Sequence, residues 1–348
     1  MTSEVDIILG GARPEASDAL FTLVRSLKGA PAVRIFDYRR DGAITRLADT
    51  RFEPAAARRI LGWQRLLSEI LQRRELPPLV RDVMDKVRRQ ELRAYPMLSR
   101  PGRWSIRLEG LEIARLDAAG GFVDIGKDGK GNAVSPARRV WLRVAEPGVP
   151  RDVRADDPGA IAAAARQITR FAAAWLDPNG KQQNEHALES RILRGYTPIG
   201  VPGVGALELI PPPRRDLERY VNWGSQFPTL WGTDGSTRYL DALLRKGRTP
   251  WAIEIKVDID GSGTGIGGYY RHAISQAVLY REFIRAGTPL HFWFTGQDLD
   301  AEDCRAAVVV PDLTAGNARR DHRADLQSIC ELFDVELIEV DRQDAILR

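Results

Sequence analysis

Between residues 239 and 280 the chain sets an aspartate in one apolar run and a glutamate and a lysine in the next. Asp241 lies in Tyr239-Leu-Asp-Ala-Leu-Leu-Arg245, and Glu254 and Lys256 lie in Trp251-Ala-Ile-Glu-Ile-Lys-Val257. Both runs have the length and composition of buried strands. The turn Lys246-Gly-Arg-Thr-Pro250 is short enough to make them an antiparallel pair. Period two puts Glu254 and Lys256 on one face, with Ile253, Ile255 and Val257 on the other. Charges in an apolar sheet are costly unless they pair or bind a metal. Carboxylate oxygens are the hard ligands that Mg²⁺ prefers, and a metal held by two of them keeps positions open for water. The residues therefore point to metal-assisted hydrolysis, with a structural ion pair as the alternative.

A glycine-rich stretch follows, and then a helix-like segment carrying Gln276-Ala-Val-Leu-Tyr280. In order, Asp241, Glu254-x-Lys256 and Gln276-x-x-x-Tyr280 resemble the signature of the PD-(D/E)xK nuclease superfamily, in its RecB-like branch. The resemblance covers residues 183–294, and Leu240 stands where the proline of the family name would be. It implies a restriction-endonuclease-like core, a mixed sheet flanked by helices, and hydrolysis of phosphodiesters. DNA is the expected partner, in repair or in restriction and anti-phage defence.

The resemblance also implies Mg²⁺, with Mn²⁺ able to substitute. Its ligands would be Asp241, Glu254, the Ile255 carbonyl and a glutamate on a helix before the sheet. Glu185 fits that place, with Leu188 and Ile192 three and seven positions on, and Glu189 is its rival one turn later on the same face. Lys256 would position the attacking water and stabilise developing charge. Gln276 and Tyr280, one helical turn apart, would contact substrate backbone or orient the centre. Read without the resemblance, Glu185 is a surface carboxylate, Gln276 a satisfied amide and Tyr280 a core aromatic. The competing function is a catalytically inactive nucleic-acid-binding or scaffolding module that keeps the fold. Paired carboxylates repel phosphate, which argues against binding alone. Cutting both strands of a duplex needs two active sites, hence a homodimer or a partner protein.

At 348 residues and 43% hydrophobic, the chain is long enough for two domains. Asp177-Pro-Asn-Gly180 breaks a helix, and there the sequence places the boundary. Residues 1–178 would form an α+β domain of no recognised family that binds nucleic acid or a partner, and 179–348 the α/β nuclease-like domain. A formal charge of +4 and a pI near 9.1 permit a polyanionic partner. Two cysteines, Cys304 and Cys330, make neither a disulfide framework nor a zinc cluster. Glu4 and Asp6 sit where a signal peptide needs positive charge, and Arg166 and Arg170 break the longest alanine-rich run. The expectation is a soluble cytoplasmic protein with no membrane segment.

Strands are expected at 5–9 and 32–38, and helices at 17–28, 54–71 and 79–92. The last two helices carry many arginines interspersed with acids, which reads either as a DNA-backbone surface or as a solvated face. Alternation from 103 to 144 predicts an antiparallel sheet that includes 140–144. Its Trp104 and Trp141 could stack bases or fill a core. Asp157-Pro158 opens a helix to 176, and a second helix spans 181–193. His186, beside the helix glutamates, has no metal-ligand spacing with the other histidines and reads as a packing or surface residue. A first core strand is expected at 203–210. The segment with Arg214, Arg215 and Arg219 reads as a loop over the substrate or an ordinary connection. Residues 258–268, with Asp258 and Asp260, lack the phosphate-loop spacing and read as a loop at the mouth of the site. A helix over 269–286 follows, with Arg271 as a phosphate contact, then strands at 290–294 and 306–310, a helix at 321–333 and a strand at 335–340.

Overall fold

The computed structural model of the chain describes residues 4–10, 23, 32–38, 43–46, 76–97, 102–125, 135–149, 151–176, 185–210, 225–229, 238–257, 266–312 and 317–341. The 54–71 helix, the Asp177-Pro-Asn-Gly180 break, the 214–219 arginines, Asp258 and Asp260 lie outside the described residues. Strands β1 (Glu4–Gly10) and β2 (Ala32–Tyr38) pair in parallel, and β3 (Ile44–Arg46) runs antiparallel to β2.

The chain groups into two compact units. One comprises Leu66–Pro198, Leu209–Ser225 and Asp341–Arg348; the other comprises Met1–Arg65, Ile199–Glu208 and Gln226–Val340.

Helix α1 (Pro78–Val87) starts the described part of the first unit, with proline in its first turn and Leu79, Val80, Val83, Met84 and Val87 buried. Arg88 takes a left-handed conformation and returns its N–H to the Met84 carbonyl. The helix expected over 79–92 therefore stops at Val87, and Leu92 instead opens β4 (Leu92–Pro96). Strands β5 (Trp104–Leu108), β6 (Leu111–Leu116) and β7 (Gly120–Val123) follow. Helix α2 (Pro136–Val144), strand β8 (Asp152–Arg154), helix α3 (Pro158–Leu176) and helix α4 (Glu185–Leu193) complete the unit. The sheet is an antiparallel meander, β4-β5-β6-β7-β8.

The strand expected at 140–144 is part of α2. Ser135 caps that helix, its Oγ accepting from the Arg138 N–H at 3.0 Å, and Pro136 sits in the first turn. Ala137 and Trp141, four apart, form its buried stripe. Asp157 caps α3 as expected, its Oδ1 accepting from the Ala160 N–H at 2.9 Å. Trp104 and Trp141 both lie in this unit's core, and Trp141 packs edge-on against Phe171 of α3 at 5.3 Å. They are core residues rather than a stacking surface for bases.

Where one strand is expected over 203–210, the chain from residue 200 to 209 forms three short pieces, only the last two of them within that range. These are β9 (Gly200–Val201), β10 (Gly205–Ala206) and β11 (Glu208–Leu209). After β12 (Ser225–Thr229) come the two long strands β13 (Arg238–Lys246) and β14 (Thr249–Ile255). Then follow α5 (Ile266–Ala286), α6 (His291–Gly296), β15 (Arg305–Pro311), α7 (Asn317–Phe333) and β16 (Val335–Val340). The sheet order is β11-β13-β14-β15-β16, with β12 also on β13. The β13–β14 pair is antiparallel, and β14, β15 and β16 are parallel, joined by crossovers that contain α5 and α7. One face is covered by Ala273, Ile274, Ala277 and Val278 of α5 and by Leu326 and Cys330 of α7, packed on Ala306, Val308, Val310, Val335 and Leu337.

Residues 290–294, expected as a strand, are helical. Gly287 ends α5, its N–H bonded to the Phe283 carbonyl at 2.8 Å, and Thr288–Leu290 forms a 3-10 turn that opens with proline. Trp293 and Phe294 are both buried while Thr295 and Gly296 are exposed, a pattern that no half-buried strand produces. The fold is thus mixed α/β, with seven α-helices and a six-stranded mixed sheet among the described residues. None of those helices is long and apolar enough to cross a membrane.

Candidate active site in the mixed sheet

The predicted hairpin of β13 and β14 pairs Ala242 with Ile253 and Leu243 with Ala252. The ladder ends at the Ala242–Ile253 pair, and Asp241 and Glu254 are the next residues of the two strands. Lys256, two positions on from Glu254, returns to the same face. Strand β14 pairs on both sides and is buried along nearly its whole length, which is why most of its residues are apolar. Glu254 and Lys256 break that pattern, yet they are only 1% and 7% exposed. Glu254 lies beside Val308 of β15, so the charged face is the one that α5 and α7 cover.

Three contacts fix the charged groups. Lys256 Nζ lies 2.6 Å from Glu254 Oε1 and donates to the Ile255 carbonyl at 3.1 Å. Asp241 Oδ2 accepts from the Ile255 N–H at 2.8 Å. The Lys256 N–H bonds to the Val309 carbonyl at 2.9 Å, which extends the β14–β15 ladder past the end of the strand and holds the Lys256 backbone in place. Asp241, Glu254, Ile255 and Lys256 are therefore brought together as the sequence expects.

This donor set suits a hard cation. The Asp241 and Glu254 carboxylates and the Ile255 carbonyl could offer oxygen ligands, and Mg²⁺ is commonly held by one or two carboxylates with water and substrate phosphate completing the shell. Among the described residues no third His, Cys, Asp or Glu joins them to make a larger cluster.

Gln276 and Tyr280 sit on α5, and the Gln276 Nε2 donates to the Tyr280 hydroxyl at 3.1 Å. Tyr280 is buried, 1% exposed. The helix that carries them packs on β14 and β15. The neighbouring Arg281 is a structural residue that sequence reading misses. It is buried, and its guanidinium donates to the Phe333 and Asp334 carbonyls at 2.9 and 2.8 Å, which ties α5 to the C-terminal end of α7. No spacing rule marks such a residue; its chemistry is visible only once the two helices meet.

Glu185 and Glu189 lie on α4, which groups with residues 66–198. Glu189 is 3% exposed and lies 3.3 Å from His186 Nδ1, whereas Glu185 is half-buried in the first turn. Nearby, the buried Glu109 lies 2.9 Å from Arg194 and 3.5 Å from Arg191, a network that holds the β5–β6 turn against the end of α4. Burial pushes both cysteine thiols, Cys304 and Cys330, up to about 12, so neither is a nucleophile near neutral pH. Comparison with known proteins gives no matching family model, no matching curated protein and no matching solved structure.

Proposed function

We propose that the chain is a metal-dependent nuclease that hydrolyses phosphodiester bonds in DNA, built on a restriction-endonuclease-like core. The observation that carries this reading is the register of β13 against β14. It ends with Asp241 bonded to the Ile255 N–H, beside the buried pair of Glu254 and Lys256.

Asp241, Glu254 and the Ile255 carbonyl would hold Mg²⁺ or Mn²⁺. The ion supplies Lewis acidity at the scissile phosphate and makes water a better nucleophile near neutral pH. Lys256 contributes a fixed positive charge. The Glu254 carboxylate, 2.6 Å away, is its ion-pair partner. An ammonium in this low-dielectric site stabilises the negative charge that develops on the phosphoryl oxygens, which suits it better to that role than to deprotonating water. Asp241 is oriented by the Ile255 N–H. Gln276 and Tyr280, bonded to one another, are assigned to positioning the substrate backbone.

A second reading has an observation of its own. Lys256 is engaged by both Glu254 and the Ile255 carbonyl, as a purely structural ion pair in an inactive binding module would be. Incubation of circular duplex, linear duplex and single-stranded DNA with Mg²⁺, Mn²⁺ or EDTA separates the two, with Lys256→Ala beside the wild type. Metal-dependent cutting by the wild type alone supports the nuclease. Equal DNA binding with no cutting of DNA or RNA by either protein favours the inactive module.

A further inference from the structure

Helices α2 and α3 contain no acidic residue and carry Arg138, Arg139 and Arg143 on the first and Arg166 and Arg170 on the second. Arg138 is taken up by Asp124 and the Ile125 carbonyl. The other four are exposed. Arg139 and Arg143 are four apart, as are Arg166 and Arg170, so each pair projects from one side of its helix about 6 Å apart along the axis. The two helices pack together through Trp141 and Phe171, and Gln167 Nε2 of α3 donates to the Trp141 carbonyl at 3.4 Å. Glu146, just beyond α2, reaches Arg170 at 2.6 Å and Arg166 at 4.0 Å, which places the end of α2 beside the α3 arginines. Arg139 and Arg143 have no ion-pair partner among the described residues.

A solvated helix face normally mixes signs, as the outer side of α1 does with Arg81, Asp82, Asp85 and Lys86. The α2–α3 surface instead carries four exposed arginines and one acid, Glu146, which pairs with the two on α3. Leu142, 54% exposed, lies between Arg139 and Arg143. Arginines such as Arg139 and Arg143, with no ion-pair partner among the described residues, are the groups that contact phosphate without reading sequence. We propose that the exposed arginine surface of α2 and α3 is a docking site for the phosphate backbone of duplex DNA. This rests on the reading of the chain as a DNA nuclease and assigns the first unit a part in holding the substrate. The basic surface that the sequence suggested for residues 54–71 and 79–92 lies elsewhere in the chain.

Duplex binding in EDTA, followed by fluorescence anisotropy across a salt series, tests the surface without any cutting. Each phosphate contact contributes about 0.9 to the slope of log K against log salt. Arg139→Gln/Arg143→Gln is expected to bind more weakly and to lower that slope by about 2. Arg139→Lys/Arg143→Lys should keep the slope, and Glu146→Gln should tighten binding by removing the one acid. A slope unchanged in the glutamine variant, or a wild type that does not bind duplex, overturns the proposal. Cutting assayed separately with Lys256→Ala keeps the nuclease reading distinct: a lowered slope in a protein that never cuts supports the surface and sinks the nuclease.

Discussion

Asp241 on β13 and Ile255 on β14 are joined by a 2.8 Å hydrogen bond from the Ile255 N–H to Asp241 Oδ2. The regular ladder between these strands ends at the Ala242–Ile253 pair, so a side chain continues the pairing where backbone leaves off. The same bond orients a carboxylate toward the face that holds Glu254 and Lys256. Structure and proposed chemistry therefore share one atom pair, and substitutions at Asp241 can separate them.

Asp241→Asn keeps a side-chain oxygen to accept from Ile255, and Asp241→Ala does not. The asparagine variant should remain within about 1 kcal/mol of the wild type in urea unfolding, while the alanine variant loses about 1.5–3 kcal/mol, the worth of a hydrogen bond to a charged group. Both should lose metal-dependent cutting and the rise in Tm on adding Mg²⁺ that comes from binding the folded state alone. An asparagine variant that cuts like the wild type would remove Asp241 from the ligand set.

The Glu254–Lys256 pair calls for a double-mutant cycle. Lys256→Met takes the ammonium away from a carboxylate that is 1% exposed, and breaking a buried pair from one side costs about 3–5 kcal/mol. Glu254→Gln/Lys256→Met removes both charges and should recover most of that stability, because a buried pair replaced by neutral groups is often near neutral. Activity should not recover. A double variant that regains cutting along with stability would mean that the pair serves only the fold.

The hairpin was legible because both strands are long and apolar and the turn between them is polar, and the three charges stood out against that background. The α3 helix was legible from Asp157-Pro158 at its start. The 140–144 segment was misread because Val140-Trp-Leu-Arg-Val144 is short and rich in residues that favour strands, while the signal that decides it, Ser135-Pro136, lies upstream. The 290–294 run failed similarly: five apolar and aromatic residues fit either element, and the turn set by Gly287 and Pro289 made it helical. Arg281 and the Glu109 network were not legible at all, since their partners are backbone carbonyls or residues far along the chain that only the fold brings near.

Gly110 and Gly148 both hold positive φ, +81° and +82°. A Cβ at Gly148 would meet nothing within 4 Å, so Gly148→Ala should cost only the left-handed strain, about 1–2 kcal/mol. At Gly110 the Cβ would lie 2.2 Å from the His186 carbonyl oxygen, a backbone atom that cannot move without shifting α4. Gly110→Ala should therefore lower the urea midpoint clearly more than Gly148→Ala. Equal losses in the two variants would show that the β5–β6 turn is not seated against α4.

The two cysteines link burial to pH. Burial raises both thiols from about 9 to about 12, so the folded state keeps its protons in a range where the unfolded state loses them. Stability from this source is fully present below pH 9 and falls as pH rises toward 12, by about 1.4 kcal/mol per thiol per pH unit above 9. Cys304→Ala/Cys330→Ala should lose some packing but show a flatter fall between pH 9 and 10.5. At pH 8 the native thiolate fraction is on the order of one in ten thousand, against about one in ten for an exposed thiol. A chromogenic thiol reagent should accordingly react slowly with native protein and rapidly with two thiols in urea. Fast labelling of the native chain at pH 8 would place at least one cysteine outside the core and remove the pH effect with it.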